Sequence, residues 1–358
     1  MTKEKDKILV VGGAGYVGSV LVRELLEKGY AIKVLDRMFF GDTGIQEVRD
    51  RIELIEDDIR LVDPSILDDV QGIINIGGLS NDPTAEYNPK ANFEMNTVAT
   101  ENLAKMAKDK GIRRHVFASS CSVYYVSAGV DSEDVVLDET SSINPKAAYS
   151  KSKFEAEKRL IEMADEHFCP IILRKGTIFG FSPRMRYDLV VNTFVKDALS
   201  LKKLELHYGG EMWRPLVEVH DAARAYILAL EAPEEKVRGE IFNIAAKNFR
   251  ISELALKVYQ ILNDRGENIT IRSDYRYKGV RSYRVSTEKA TDVLGFQPKI
   301  TLEESILNML DQIKAYGYTD FDHPRYYNIR WMRLLEETQQ IIQKTNSIFE
   351  LPQKDARK

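Results

Sequence analysis

Tyr149 and Lys153 stand four positions apart in Tyr149-Ser150-Lys151-Ser152-Lys153, a spacing that puts both side chains on one face of a helix. An ammonium beside a phenol stabilises the phenolate and lowers a pKa that is about 10 when unperturbed. Such a phenolate can serve as general base toward a substrate hydroxyl. The strand-like run at residues 114–118 ends in Ser119-Ser120-Cys121-Ser122, and hydroxyls at the carboxyl end of a parallel strand face the crevice where such sheets bind ligands. A second constellation lies near the N-terminus. Ile8-Leu9-Val10-Val11 leads into Gly12-Gly13-Ala14-Gly15-Tyr16-Val17-Gly18. Glycines at 12, 15 and 18 suit a tight strand-to-helix turn, backbone approach to a pyrophosphate and close packing of helix on strand. The helix N-terminus adds free amides for the anion. Asp36 ends the next strand-like run. A carboxylate there accepts hydrogen bonds from a ribose 2′-hydroxyl and repels a 2′-phosphate, which favours NAD over NADP. Arg37 beside it is of a type that can accommodate that phosphate.

Groups of this kind need a scaffold that brings them to one crevice. Short apolar runs at residues 7–11, 31–35, 51–55, 72–76, 114–118 and 169–173 read as buried strands, with helical patterns at 16–28, 89–110 and 147–167 between them. Strands spaced by helices imply right-handed βαβ crossovers. The expected fold class is α/β: a Rossmann-type doubly wound parallel sheet with a smaller mixed α/β C-terminal substrate domain. The expected division is 1–175 for the NAD-binding domain carrying Ser120, Tyr149 and Lys153, 176–325 for a partly interleaved substrate domain, and 326–358 for a C-terminal helix and polar tail. The tail suggests no function.

Composition narrows the function classes. The 358 residues are 44% hydrophobic and 30% charged, and 51 Lys plus Arg against 55 Asp plus Glu leave a net charge of −4. That balance lacks the basic footprint of a nucleic-acid binder. Two cysteines are too few for a disulfide framework or a cysteine-based zinc site. No run approaches 18 apolar residues, and the charged N-terminus lacks a signal-peptide apolar stretch. A cytoplasmic, metal-free protein with neither a nucleic-acid nor a membrane partner is expected.

The motifs occur together in a recognisable order. The glycine loop, Asp36, Asp57-Asp58-Ile59-Arg60, Gly77-Gly78-Leu79-Ser80-Asn81-Asp82-Pro83, Asn96, Ser119-Ser120-Cys121-Ser122-Val123-Tyr124, Tyr149 with Lys153, Arg214-Pro215 and Phe242-Asn243-Ile244 span about residues 7 to 300. The chain resembles an extended short-chain dehydrogenase/reductase of the NAD-dependent epimerase/dehydratase family, which acts on nucleotide sugars. The resemblance implies Ser120 as catalytic hydroxyl, Tyr149 as base, and Lys153 as phenolate stabiliser and ribose ligand. It implies cofactor contacts from Gly12, Gly15, Tyr16, Val17, Gly18, Asp36, Arg37, Gly77, Gly78, Leu79, Asn96 and Ser119. Asp58 and Ile59 fall at the adenine by the same resemblance. In Lys175-Gly176-Thr177, where relatives often carry bulkier or amide-bearing residues, Thr177 is the candidate near the nicotinamide. Substrate contacts are implied for Ser80, Cys121, Ser122, Asn192, Arg214 and Arg281, since arginine forks suit diphosphates. Arg184 and Arg186 are further candidates.

The implied reaction is epimerisation of a nucleotide-diphosphate sugar at C4, through a 4-keto sugar formed by transient oxidation with Tyr149 as base. The alternatives are an NAD(P)-dependent 4-dehydrogenase or 4-ketoreductase, a 4,6-dehydratase, and a non-catalytic NAD(P)-sensing protein. The resemblance also implies a homodimer through a four-helix bundle of the helices at 89–110 and 147–167. Some positions depart from the family pattern. Cys121 and Ser122 stand where dehydratases carry an Asp-Glu pair, which disfavours elimination. Asn75 replaces a histidine, and Gly77-Gly78 replace alanines, changes expected only to adjust packing. Tyr125 takes the place of a glycine, and the acidic stretch 126–138 beside it could reshape the sugar pocket. His220 reads as a helix-start or core histidine.

Overall fold

The computed structural model describes residues 5–124, 135–275 and 282–345. Tyr125, residues 126–134 and Arg281 lie outside them. Seven strands, β1 (Lys5–Val11), β2 (Tyr30–Asp36), β3 (Ile52–Glu56), β4 (Gly72–Asn75), β5 (Arg114–Ser120), β6 (Cys169–Lys175) and β7 (Ile241–Ile244), form one parallel sheet ordered β7-β6-β5-β4-β1-β2-β3. Near-continuous apolar sequence such as Ile8-Leu9-Val10 and Ile171-Ile172-Leu173 belongs to strands covered on both faces, and all six residues are buried. Helices Gly18–Glu27 and Val219–Glu231 pack on one face, Ala99–Asp109 and Ala148–Glu162 on the other. The expected doubly wound parallel sheet is the observed architecture.

Strand order reverses between β1 and β4. The chain leaves β1 outward toward β3, then returns to β4 and proceeds the other way, so the connections after β1 and β4 diverge and open a crevice at the carboxyl ends. β7 and helix Val219–Glu231 come from beyond residue 175, so the second half of the chain completes the sheet. A smaller layer lies over the crevice. Its strand Trp213–Glu218 pairs parallel with Thr177–Phe179 and antiparallel with Lys247–Arg250. Phe179, Tyr187, Leu216, Leu254 and Met309 form its core, with helices Val190–Leu201, Ile251–Asp264 and Leu302–Ala315.

The helical pattern at 89–110 is not one regular helix. Pro89–Phe93 runs into a wider π turn at Glu94–Val98 and then into Ala99–Asp109. A further short helix, Asp82–Tyr87, precedes it, capped by the Asn81 side chain accepting from Thr84 N–H, with a proline in the first turn. Among the described residues no helix is long and apolar enough to cross a membrane, and no group of three His, Cys, Asp or Glu side chains is placed to hold a metal ion.

Candidate active site

The crevice is a cavity of about 440 Å³, lined both by the sheet's carboxyl edge and by the smaller layer. Gly12, Gly15, Tyr16, Val17 and Gly18 form its floor where β1 turns into the Gly18–Glu27 helix. Gly12 has φ +82°, and a Cβ there would stand 2.9 Å from Gly77 Cα, so the loop closes on the β4 end only without side chains. Asp36 accepts from the Ala14 and Met38 amides at 3.0 and 2.9 Å. Burial raises its pKa against those two hydrogen bonds. Asp58 and Ile59 line the same end. Arg60 and Arg37 hold the Asp58 carboxylate at 2.6 and 2.8 Å and, despite burial, keep its pKa below the usual range. Arg37 also lies over the Phe39 ring, so it is engaged within the loop rather than presented as a free cation. A glycine floor with helix amides above it, and a carboxylate one strand away, fits a dinucleotide.

Gly77 and Gly78 do more than adjust packing. Gly78 has φ +110°, and a Cβ there would collide with Asn96 Oδ1. Asn96, in the π turn, donates to Leu79 O, Asn92 Oδ1 and Ser152 Oγ. It is fully buried and ties the Gly77-Gly78-Leu79 turn to the Tyr149 helix without lining the cavity.

Ser120, Tyr149 and Lys153, the expected catalytic set, line the same cavity. Ser120 Oγ accepts from the Ser122 amide at 3.2 Å and stands close enough to the Tyr149 hydroxyl to influence it. The expected lowering of the Tyr149 pKa is not what the structure shows. Burial pushes the phenol up, with Asp82 adding to it, and Ser120 and the Arg186 charge only partly oppose this. Burial also pulls Lys153 well below its ordinary value, its ammonium lying 4.7 Å over the Phe117 ring. Desolvation outweighs the mutual assistance of phenol and ammonium expected from spacing alone.

Behind these groups runs a buried network. Ser119 donates to Glu157, which takes Arg174 in a fork at 2.6–3.1 Å, both charges being 1% exposed. Arg174 also donates to Tyr124 OH at 2.9 Å, and Tyr124 donates to Asn243 Oδ1 at 2.8 Å. Ser119 is therefore turned away from the cavity into this network. Cys121 is likewise buried, with its thiol donating to Arg174 O and its pKa pushed up to about 12 by burial.

Ser80, Ser122 and Arg214, the expected substrate contacts, and Thr177, expected near the nicotinamide, line the cavity. Ser122 Oγ is buried without a partner among the described residues. Asn192 does not line it. Its amide is spent on Tyr16 OH, Gly180 and Arg186 O, and it braces the loop above the glycine floor. Sequence reasoning passed over several lining residues. Lys175 ends β6 directly opposite Ser120. Arg184 and Arg186, already candidates from the sequence, line the cavity too and are buried, with Arg184 Nε and Arg186 Nη2 unpaired among the described residues. Phe39, Phe40, Asn328 and Met332 close the cofactor end. The charged pair Arg174-Lys175 at the end of an apolar strand was the available signal for Lys175. Nothing local marks Asn328.

Comparison with known proteins places this geometry. The profile of the family described as "NAD dependent epimerase/dehydratase family" matches residues 8–245. The chain is 28% identical over 326 residues to a putative UDP-glucose 4-epimerase of Methanocaldococcus jannaschii, covering 87% of this chain and all of that one. It is 27% identical over 310 residues to UDP-glucuronic acid decarboxylase 1 of Xenopus tropicalis, covering 85% and 71%. Its fold matches the UDP-glucose 4-epimerase of Thermotoga maritima solved with UDP-glucose, with a TM-score of 0.74 at 23% identity, covering 86% and 99%. With the family match spanning well over half of its length, the chain belongs to the NAD dependent epimerase/dehydratase family.

Proposed function

We propose that the protein is an NAD-dependent epimerase of a nucleotide-diphosphate sugar, acting at C4. The observation that carries this reading is the convergence of Ser120, Tyr149 and Lys153 at one end of a cavity whose other end is built for a dinucleotide. NAD, when bound, supplies the hydride acceptor and donor. Tyr149 takes the proton of the sugar 4-hydroxyl, and Ser120 holds that oxygen in line. Lys153, one helical turn on, holds positive charge beside the phenolate as it forms. Arg214 supplies a fork for the diphosphate, while Arg184, over the Phe40 ring and near the Asp36 charge, belongs to the cofactor end. A keto sugar that turns in the site and is reduced on its other face leaves as the epimer. Cys121 and Ser122 offer no acid–base pair for elimination, because the thiol is buried and bonded to Arg174 O, and a 4,6-dehydratase is disfavoured.

The second reading is a net 4-dehydrogenase or 4-ketoreductase, which must exchange its cofactor each turnover. The tie of the C-terminal segment to the cofactor end, where Trp331 donates to Phe39 O and Met332 lines the cavity with Phe39 and Phe40, favours retention and hence epimerisation. A homodimer across the helices at 89–110 and 147–167 belongs to the same reading, supported by the exposed Phe93 on that run. The test is incubation with UDP-, dTDP-, GDP- and CDP-sugars. Epimer formed without net NADH supports the proposal, and stoichiometric NADH supports the dehydrogenase. Tyr149→Phe is expected to lower turnover by about 10²–10⁴-fold while NAD stays bound. Unchanged turnover would remove Tyr149 as the base.

A further inference from the structure

Lys175 is a cation at the catalytic end for which the mechanism above has no use. It ends β6 in register with Ser120 of β5, and paired residues of neighbouring parallel strands point to the same face. Its ammonium donates to Ser119 O at 2.8 Å. Among the described residues no carboxylate pairs with it. Burial, and the charge of Arg186, lower its pKa to about 8, which leaves it mostly protonated at neutral pH. Arg186 is the second cation of this corner, and its charge bears on both Tyr149 and Lys175. Asp188 takes its Nε at 2.7 Å and Ser80 its Nη1 at 3.3 Å, while Nη2 is buried without a partner among the described residues. A desolvated ammonium without a counter-charge is costly to maintain, so the corner is built to receive an anion.

From these positions we infer that the sugar recognised here is a hexuronate, its C5 carboxylate seated on Lys175 with Arg186 beside it. The inference rests on the nucleotide-sugar reading and specifies the sugar. In a hexuronate the carboxylate is carried by the ring carbon next to the one bearing the 4-hydroxyl. Seating that hydroxyl on Tyr149 and Ser120 therefore brings the carboxylate to the neighbouring strand end, where Lys175 stands. The diphosphate is carried on the far side of the ring, at C1, and is the anion for Arg214.

The experiment compares UDP-glucuronic acid with UDP-glucose, which differ only at this substituent, by calorimetric titration of the NAD-loaded protein. The uronate is expected to bind about tenfold more tightly, the scale of one charge-assisted hydrogen bond. Lys175→Met should bring the ratio of the two dissociation constants near one, and Lys175→Arg should keep the preference. Retained NAD content and circular dichroism verify that each variant is folded. Equal or tighter binding of UDP-glucose by the wild type, or a ratio unmoved by Lys175→Met, overturns the inference and leaves the epimerase reading standing. Binding of neither sugar nucleotide overturns both.

Discussion

Glu157 shows what a single buried charge does for this site. One turn beyond Lys153 on the same helix, it holds Arg174 of β6 in a two-pronged pair and accepts from Ser119 of β5. Three elements that deliver Ser120, Lys175 and Tyr149 are thus fixed to one another at a point where water does not reach. Such a pair adds little over an apolar isostere, but removing one partner strands the other in a medium that cannot solvate it. Glu157→Gln keeps the shape and leaves the Arg174 guanidinium uncompensated. It is expected to destabilise the fold by about 3–5 kcal/mol, read as a lowered denaturation midpoint at unchanged denaturant slope. A loss below about 1 kcal/mol would mean that the network tolerates neutral hydrogen bonding and that the charges are dispensable.

Helix Val219–Glu231 carries its own titratable start. Glu218 caps it through the His220 amide at 2.6 Å, and the His220 ring pairs with Glu24 of helix Gly18–Glu27 at 3.0 Å. Burial raises Glu218 from the ordinary 4.5 to about 7. The folded protein therefore holds a proton there across a window in which the unfolded chain has lost it, and stability falls as pH rises from about 4.5 to about 7. His220, lifted by Glu24 and Glu218 although burial opposes it, adds to the same direction because its charged form is favoured by folding. Glu218→Gln should flatten the decline by roughly 1–3 kcal/mol, measured as unfolding free energy at about pH 5 and about pH 8. An unchanged slope would assign the decline, if present, to other groups. The legibility of elements follows the range of the forces that set them. Six of the seven sheet strands and the Gly18–Glu27 helix were readable because apolar runs and glycine spacing are local, whereas Ile241–Ile244 joins the sheet only through its pairing with Cys169–Lys175. Strand Thr177–Phe179 is three residues long and owes its place to pairing with residues 216–218, so no local pattern could reveal it. The residue types of the catalytic set were equally readable, but the pKa of Tyr149 was not, because its dominant cause is burial contributed by the whole fold.

At the scale of the molecule, the C-terminal segment returns to the N-terminal half and closes the cofactor end. Asn328 donates to Ser80 at 2.9 Å across 248 residues of sequence, and it accepts from Arg184 at 2.7 Å. Trp331 donates to Phe39 O, Arg325 to Thr43, and Tyr87 to Glu336. Met332, on the same segment, lines the cavity together with Phe39, Phe40, Asp36 and Arg37. An epimerase returns the hydride to the sugar it came from and gains nothing from releasing its cofactor, whereas a net dehydrogenase has to open this end each cycle. The closure therefore bears directly on the reaction. Wild-type protein is expected to leave gel filtration with close to one NAD(H) per chain, released on denaturation. Asn328→Ala with Trp331→Ala unlatches the segment without touching a glycine or a catalytic side chain, and should lose at least half of that content while keeping its circular dichroism spectrum. Full retention by the doubly substituted protein would show that the glycine floor and Asp36 hold the cofactor unaided. Wild-type protein that arrives empty and yields stoichiometric NADH with substrate would shift the reaction to the dehydrogenase, because the enclosure would then be no barrier to exchange.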